Sequence, residues 1–141
     1  MTRLGRVEVL VEPALYEVRS LESRALYFVD SRLGGHPHYV RIPGDDSTSM
    51  RSDLAWQPLT MIMSLPPRWN GHRHLERAEI DQTDIQHWVL REGAEHFYVT
   101  PNPTPGLPIL TFVKQSPARE VLQIDELPAS AAHLIERQEL R

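Results

Sequence analysis

Residues 14–43, ALYEVRSLESRALYFVDSRLGGHPHYVRIP, decide the fold, because they contain three short segments typical of β-strands. These segments are ALYEVRS (14–20), ALYFVD (25–30) and HYVRIP (38–43). The first alternates with period 2, since Tyr16 and Val18 fall on the opposite face from its charged residues. The second is apolar on both faces, which is typical of a central strand. Short links rich in Ser, Gly and Pro separate the segments, so the pattern predicts an antiparallel meander with residues 25–30 in the middle.

The third segment of the meander also alternates. Val40 and Ile42 share one face, and Tyr39 and Arg41 share the other. The pattern predicts that the two aliphatic residues face the core and that Tyr39 and Arg41 face outward.

Further segments with period-2 alternation lie on both sides of the meander. They are residues 6–12, 59–65, 85–91, 95–100, 109–114 and 119–124. The short Gly-containing link at 92–93 predicts that 85–91 and 95–100 form a hairpin. Residues 129–141 instead favour a helix. The pattern predicts a single all-β, mainly antiparallel domain over residues 1–141. We expect a small barrel or half-open barrel of roughly six to eight strands over about residues 6–125, with a short C-terminal α-helix over about 129–141.

The composition narrows the class of protein. The chain has 141 residues, no cysteine and a formal net charge of −4. The lack of cysteine rules out disulfides, thiolate metal ligands and a cysteine nucleophile. The negative charge disfavours sequence-independent binding of nucleic acid. Because no apolar run approaches the roughly 18 residues that cross a bilayer, we expect a cytoplasmic protein with no membrane span.

Two His-x-His pairs, at residues 36–38 and 72–74, are the strongest hint of chemistry. Alternate residues of a strand share a face, so His72 and His74 suit a single divalent transition metal. Glu79 follows them as in the first half of the cupin metal motif, and His96 on a neighbouring strand is a further candidate ligand. The second half of that motif is missing. The alternative hypothesis is a metal-dependent, cupin-like enzyme or metal-binding protein; otherwise these histidines are surface polar groups.

The preferred hypothesis is a non-enzymatic binding module that recognises another protein and needs no cofactor. The sequence contains no Gly-x-Ser-x-Gly, no Gly-x-Gly-x-x-Gly and no phosphate loop. Trp69 beside Arg68, in the irregular segment 66–73, is the predicted contact. Arg41 and Arg51 are further candidate binding residues. A second alternative places single-stranded nucleic acid on an aromatic barrel face beside these two arginines.

Two other features bear on binding. Met61 and Met63 could form an adaptable surface, but we interpret them as core residues. The C-terminal helix has only a narrow apolar stripe, which includes Leu134 and Ile135. This stripe predicts that the helix either packs on the barrel or contacts a second copy in a homodimer. We expect a β-domain without residues 129–141 to stay folded and to assemble less well.

One stretch resembles a known group of proteins. The residues concerned are Tyr16-x-Val18, Ser20, Ser23, Tyr27-x-Val29-Asp30, Val40-Arg41-Ile42-Pro43-Gly44, Met50-Arg51-Ser52-Asp53 and Pro58-Leu59. This order is similar to the first half of small uncharacterised β-proteins of actinobacteria and their phages. The resemblance covers about residues 14–60 and implies a compact β-barrel. It transfers no functional residues, because that group has no assigned chemistry.

Overall fold

A computed structural model of the protein describes residues 1–33, 36–50, 52–102 and 105–139. Within these ranges the chain is mostly antiparallel β-structure with one short C-terminal α-helix, as the sequence predicts. The strands are β1 (Thr2–Leu4), β2 (Arg6–Glu8), β3 (Leu15–Ser20), β4 (Leu26–Asp30), β5 (His38–Ile42), β6 (Gln57–Pro58), β7 (Met61–Ser64), β8 (Gln86–His87), β9 (Val89–Arg91), β10 (His96–Pro101), β11 (Leu110–Gln115) and β12 (Ala118–Ile124). A 3-10 turn covers Arg77–Glu79, and the helix α1 covers Ala129–Glu139.

The strands form three sheets. Sheet I has the order β1-β12-β3-β4-β5-β6, sheet II has the order β11-β10-β7-β8, and β2 pairs with β9 in a two-stranded ribbon. The predicted meander is confirmed, because β4 lies between β3 and β5 with antiparallel register on both sides. In the described residues these sheets are open, and their ladders do not close into one barrel.

The main core lies between sheet I and sheet II. Tyr98 of β10 stacks between two rings of sheet I, with centroids 5.0 Å from Tyr27 and 4.9 Å from Tyr39. The Tyr98 hydroxyl donates to the Gln115 side-chain oxygen at 2.6 Å, and the Gln115 amide donates to Ser20 Oγ at 3.0 Å. These buried hydrogen bonds connect the two sheets beside the stacked rings.

The other face of sheet I is covered by α1. Ala131 and Ile135 of the helix pack in one buried cluster with Phe28, Val40 and Ile42. The helix therefore belongs to the folded core. Its narrow apolar stripe is sufficient because the buried sheet residues of this cluster come only from β4 and β5.

Because β5 is buried on both faces, one prediction for this strand was wrong. Tyr39 and Arg41 were expected to face outward, yet they are 2% and 5% exposed. Tyr39 joins the main core, while Val40 and Ile42 on the opposite face contact the helix cluster. Period-2 alternation separates two faces of a strand, but it does not reveal that both are covered.

The predicted hairpin of residues 85–91 with 95–100 was also wrong. Its first half divides between β8, which pairs with β7 of sheet II, and β9, which pairs with β2. Trp88 between them has a left-handed backbone, with φ 58°. Its N–H donates to Ile62 O at 2.8 Å, and its carbonyl accepts from Val9 N at 3.1 Å. This reversed conformation carries the chain from one sheet to the other.

The predicted strand at residues 6–12 is shorter than expected. It ends at Glu8, whose carbonyl accepts hydrogen bonds from Val11 N and Glu12 N in a tight turn. In the described part of the chain, no helix is long and apolar enough to span a membrane.

Candidate functional site

The segment that carries Arg68 and Trp69 is fixed by one glycine. Arg68 N and Trp69 N both donate to Gly93 O, at 2.8 and 3.2 Å. Gly93 has φ +84°, and a Cβ at this position would lie 2.1 Å from Trp69 O. Trp69 also bridges to His74 in a short antiparallel pair, and the two rings meet edge-on at 5.2 Å. Only glycine permits this close approach, so Gly93 determines where the Trp69 loop lies.

Arg68 points to a buried carboxylate that the sequence did not reveal. Arg68 Nη1 is 3.1 Å from Glu95 Oε1, and Lys114 Nζ is 3.0 Å from Glu95 Oε2. The Glu95 side chain is 7% exposed, whereas the two cations are 55% and 56% exposed. One carboxylate therefore forms ion pairs with two cationic side chains, and each of these side chains remains more than half exposed to solvent.

These groups line a cleft of about 380 Å³, here called the Glu95 cleft. Its walls comprise Glu22, Arg68, His74, Glu95, Lys114, Ser116 and Pro117. His74 Nε2 lies 3.7 Å from Glu22 Oε1 across the cleft. Within the described residues, the buried Ser116 hydroxyl has no hydrogen-bond partner. The cleft is thus lined by positive charges, negative charges and an uncharged polar group.

The outward face of sheet II adjoins this cleft. Ile62 and Tyr98 lie in the main core and Val113 packs against it, so the alternate residues of the same strands point away from the core. The outward residues are Met61, Met63, Phe97, Val99, Leu110 and Phe112. Phe112 is 61% exposed and Leu110 45% exposed, and the other four are partly exposed. We call these six residues the open face.

The open face is continuous across the sheet. Val99 lies in register between Met61 and Phe112, and Phe97 lies in register between Met63 and Lys114. The rings of Phe97 and Phe112 pack edge-on, with centroids 5.2 Å apart. Glu95 precedes Phe97 by two residues on the same side, so the Glu95 cleft lies at one end of the open face. The result is an apolar surface bordered by charge.

The structure does not bring the predicted metal ligands together. His72, His74 and Glu79 are exposed, whereas His96 is fully buried. Glu79 is bonded to Arg73 at 2.6 and 2.9 Å, and this contact lowers the pKa of the Glu79 carboxyl to about 2. Across the described ranges, no group of three or more His, Asp or Glu side chains is arranged to hold a metal ion.

His96 instead has a structural environment. Its Nε2 accepts a hydrogen bond from the Arg91 backbone N–H at 3.1 Å. Burial lowers the pKa of His96 to about 3, and the neighbouring Arg91 charge contributes to this shift. His96 is therefore neutral inside the core at physiological pH.

The remaining candidate residues lie elsewhere. Arg41 is buried, and its Nη1 donates to Asp53 Oδ2 at 2.7 Å, so its charge is held inside the domain. Arg51 lies outside the described residues. His36 and His38 line a separate cleft of about 340 Å³ with Asp30 and Trp56.

A third cleft, of about 610 Å³, lies beside the link between β3 and β4. Among its lining residues, Arg19 binds Glu17 at 2.6 Å. Arg24 contacts Asp45, which lies outside the lining. Arg119 and Asp46 also line the cleft, so its walls carry charges of both signs.

Comparisons with protein-family models, curated proteins and solved structures find no match for this chain. The assignment of function therefore depends on the geometry of the open face and of the Glu95 cleft.

Proposed function

We propose that the protein is a non-enzymatic binding module, built on a half-open β-barrel, that recognises another protein through the open face. The observation that carries this proposal is the contrast between the two sheets. Sheet I has a helix over its outward face, while the outward face of sheet II has Phe112 at 61% exposed. Contiguous apolar surface of this kind is a feature of protein interaction sites.

The composition of the open face supports a protein partner. Aromatic residues and methionines are enriched at the centres of protein interfaces, and charged residues border them. Phe97, Phe112, Met61 and Met63 supply such a centre, with Lys114 and Arg68 at its end. Methionine side chains adapt their shape to a partner at low cost.

The charges suggest what the partner presents. Arg68 and Lys114 share the single carboxylate of Glu95, and more than half of each cationic side chain is exposed. A carboxylate on the partner would add a counter-charge to the exposed sides of these two cations. We therefore expect a partner surface with apolar side chains beside an Asp or Glu.

The test compares the open face with a matched surface change. Met61→Gln/Met63→Gln makes the centre polar while keeping side-chain length, and Leu134→Gln does the same to an exposed residue of α1. Proteins retained by the immobilised full chain are compared for wild type and both variants. A candidate retained by wild type and by Leu134→Gln is then purified, and its dissociation constant is measured by calorimetry.

The proposal predicts that the double methionine variant binds this partner at least roughly tenfold more weakly, as expected for loss of central interface contacts. Amide hydrogen exchange should slow in β7 and β10 when the partner is bound. Lys114→Ala should weaken binding mainly at low salt, since a border charge acts through a screened field. Equal affinity for wild type and the methionine variant would overturn the proposal.

A further inference from the structure

Among the described residues, β11 has a free edge that differs from the other edges of the two large sheets. β1 has three residues, while β6 and β8 have two each, and β6 ends in Pro58. β11 is six residues long, contains no proline and carries Leu110 and Phe112 exposed. Long apolar edges tend to pair with another strand, and native proteins usually protect them.

A protective lysine is present on β11, but it is already engaged. Lys114 is the only charged residue of the strand, and its amine lies 3.0 Å from the buried Glu95 carboxylate of the same sheet. Its charge is therefore directed toward its own sheet. The edge keeps little of the charge repulsion that would discourage pairing.

The backbone hydrogen-bond pattern identifies which N–H and C=O groups of β11 point toward its free edge rather than toward β10. Asn102 N donates to Ile109 O at 2.8 Å, and Pro101, which has no N–H, lies opposite Leu110. In an antiparallel ladder the hydrogen-bonded positions alternate. Residues 109, 111, 113 and 115 therefore bond to β10, and the N–H and C=O groups of Leu110, Phe112 and Lys114 face the free edge.

From this pattern we infer that two copies of the chain pair through β11, antiparallel and about a two-fold axis at Phe112. Phe112 then lies opposite Phe112 of the second copy, and Leu110 lies opposite Lys114. Each such pair exchanges two backbone hydrogen bonds. The two four-stranded sheets become one continuous sheet.

The side chains of β11 are self-complementary in this register. The two phenylalanines meet on the outward side, and Leu110 of each copy lies opposite the apolar stem of Lys114 of the other. On the inward side Thr111 meets Val113, so β-branched residues are paired. No like charges face each other, because the two lysines lie at opposite ends of the paired strands. A closed two-fold contact of this kind limits assembly to a dimer.

The experiment uses a charge exchange at the axis. Sedimentation velocity of the full chain should show a concentration-dependent dimer. Phe112→Lys and Phe112→Glu each place like charges opposite each other, so each variant alone should dimerise at least roughly tenfold more weakly. An equimolar mixture of the two variants should dimerise again, because the introduced lysine of one copy then faces the introduced glutamate of the other. Thermal unfolding confirms that each variant is folded.

Two controls separate this contact from other surfaces. Leu134→Lys changes an exposed apolar residue of α1 and should leave the dimer intact. Met61→Gln/Met63→Gln changes the open face away from the β11 edge and should also leave it intact, although that variant loses the partner of the proposed function. A monomeric wild type, a Phe112→Lys variant that still dimerises, or a mixture that stays monomeric would each overturn pairing across Phe112.

Discussion

Arg41 and Asp53 form an ion pair inside the domain, with Nη1 and Oδ2 2.7 Å apart and side chains only 6% and 7% exposed. The same Asp53 oxygen accepts the Met50 N–H at 2.8 Å, and Arg41 Nε donates to the Tyr27 hydroxyl at 3.2 Å. The pair thus links Met50 and Asp53, which precede β6, to β4 and β5 of sheet I.

Removing one partner of this pair should be costly. Asp53→Ala leaves the Arg41 charge buried without a counter-charge, and such changes lower the free energy of unfolding by about 3–5 kcal/mol. Asp45→Ala is the matched control, because Asp45 pairs with Arg24 in solvent, with side chains 76% and 74% exposed. That exposed pair should contribute less than about 1 kcal/mol. Urea denaturation of both variants measures the difference, and equal losses would contradict this account.

Acid should destabilise the fold through His96. Its pKa falls from 6.5 to about 3 in the native state, so the unfolded chain binds a proton between these values and the native chain does not. Stability therefore rises with pH through this window and is lost as the pH falls below 6.5. From pH 7 to pH 5 the loss from this group is about 2 kcal/mol.

The measurement is urea denaturation at several pH values. His96→Gln removes the titration while keeping an acceptor for Arg91 N–H, so its stability should depend less on pH across this range. His133→Gln, at an exposed position of α1, should behave like wild type. A wild-type curve that is flat between pH 7 and pH 5 would contradict the assigned role of His96.

Two glycines with the same backbone angle should respond differently to alanine. Gly93 and Gly106 both have φ +84°, but a Cβ would lie 2.1 Å from Trp69 O at Gly93, whereas at Gly106 it would meet none of the described residues within 4 Å. Gly106→Ala should cost only the left-handed strain, about 1–2 kcal/mol. Gly93→Ala should cost clearly more and should displace the Trp69 loop. Tryptophan fluorescence and thermal unfolding of both variants will show whether the contact matters.

The helix should be required for the stability of sheet I. Ile135 is 4% exposed in the cluster with Phe28 and Val40, whereas Leu134 is 37% exposed. Ile135→Ala should lower the free energy of unfolding by about 2–4 kcal/mol, and Leu134→Ala by much less. Deletion of residues 129–141 should lower the thermal midpoint sharply. An unchanged midpoint after deletion would instead support the sequence-based expectation of an independent β-domain.

The meander could be predicted from sequence because its signals are local. Period-2 alternation in residues 14–43 and the turn-forming residues between its segments specify neighbouring strands. The path of residues 85–91 could not be predicted correctly. The left-handed backbone of Trp88 depends on hydrogen bonds to Ile62 and Val9, which are distant in the sequence. Local patterns carry no information about those partners.

The candidate site was predicted only in part. Arg68, Trp69 and His74 lie close together, because they are near neighbours in residues 68–74. Glu95 and Lys114, which complete the cleft, come from separate strands and carry no motif. Met61 and Met63 were interpreted as core residues, since alternation cannot distinguish a covered face from an uncovered one. They lie on the open face.

The stacked rings of Tyr27, Tyr98 and Tyr39 connect the two large sheets at centroid distances of 5.0 and 4.9 Å, with interplanar angles of 14° and 7°. The electronic transitions of neighbouring rings couple when the rings are held this close in a fixed, asymmetric arrangement. Fixed aromatic packing of this kind gives a near-ultraviolet circular dichroism signal. The protein therefore carries an intrinsic optical reporter of sheet docking. If the sheets separate while their strands persist, this signal will vanish before the far-ultraviolet signal does, without any added label.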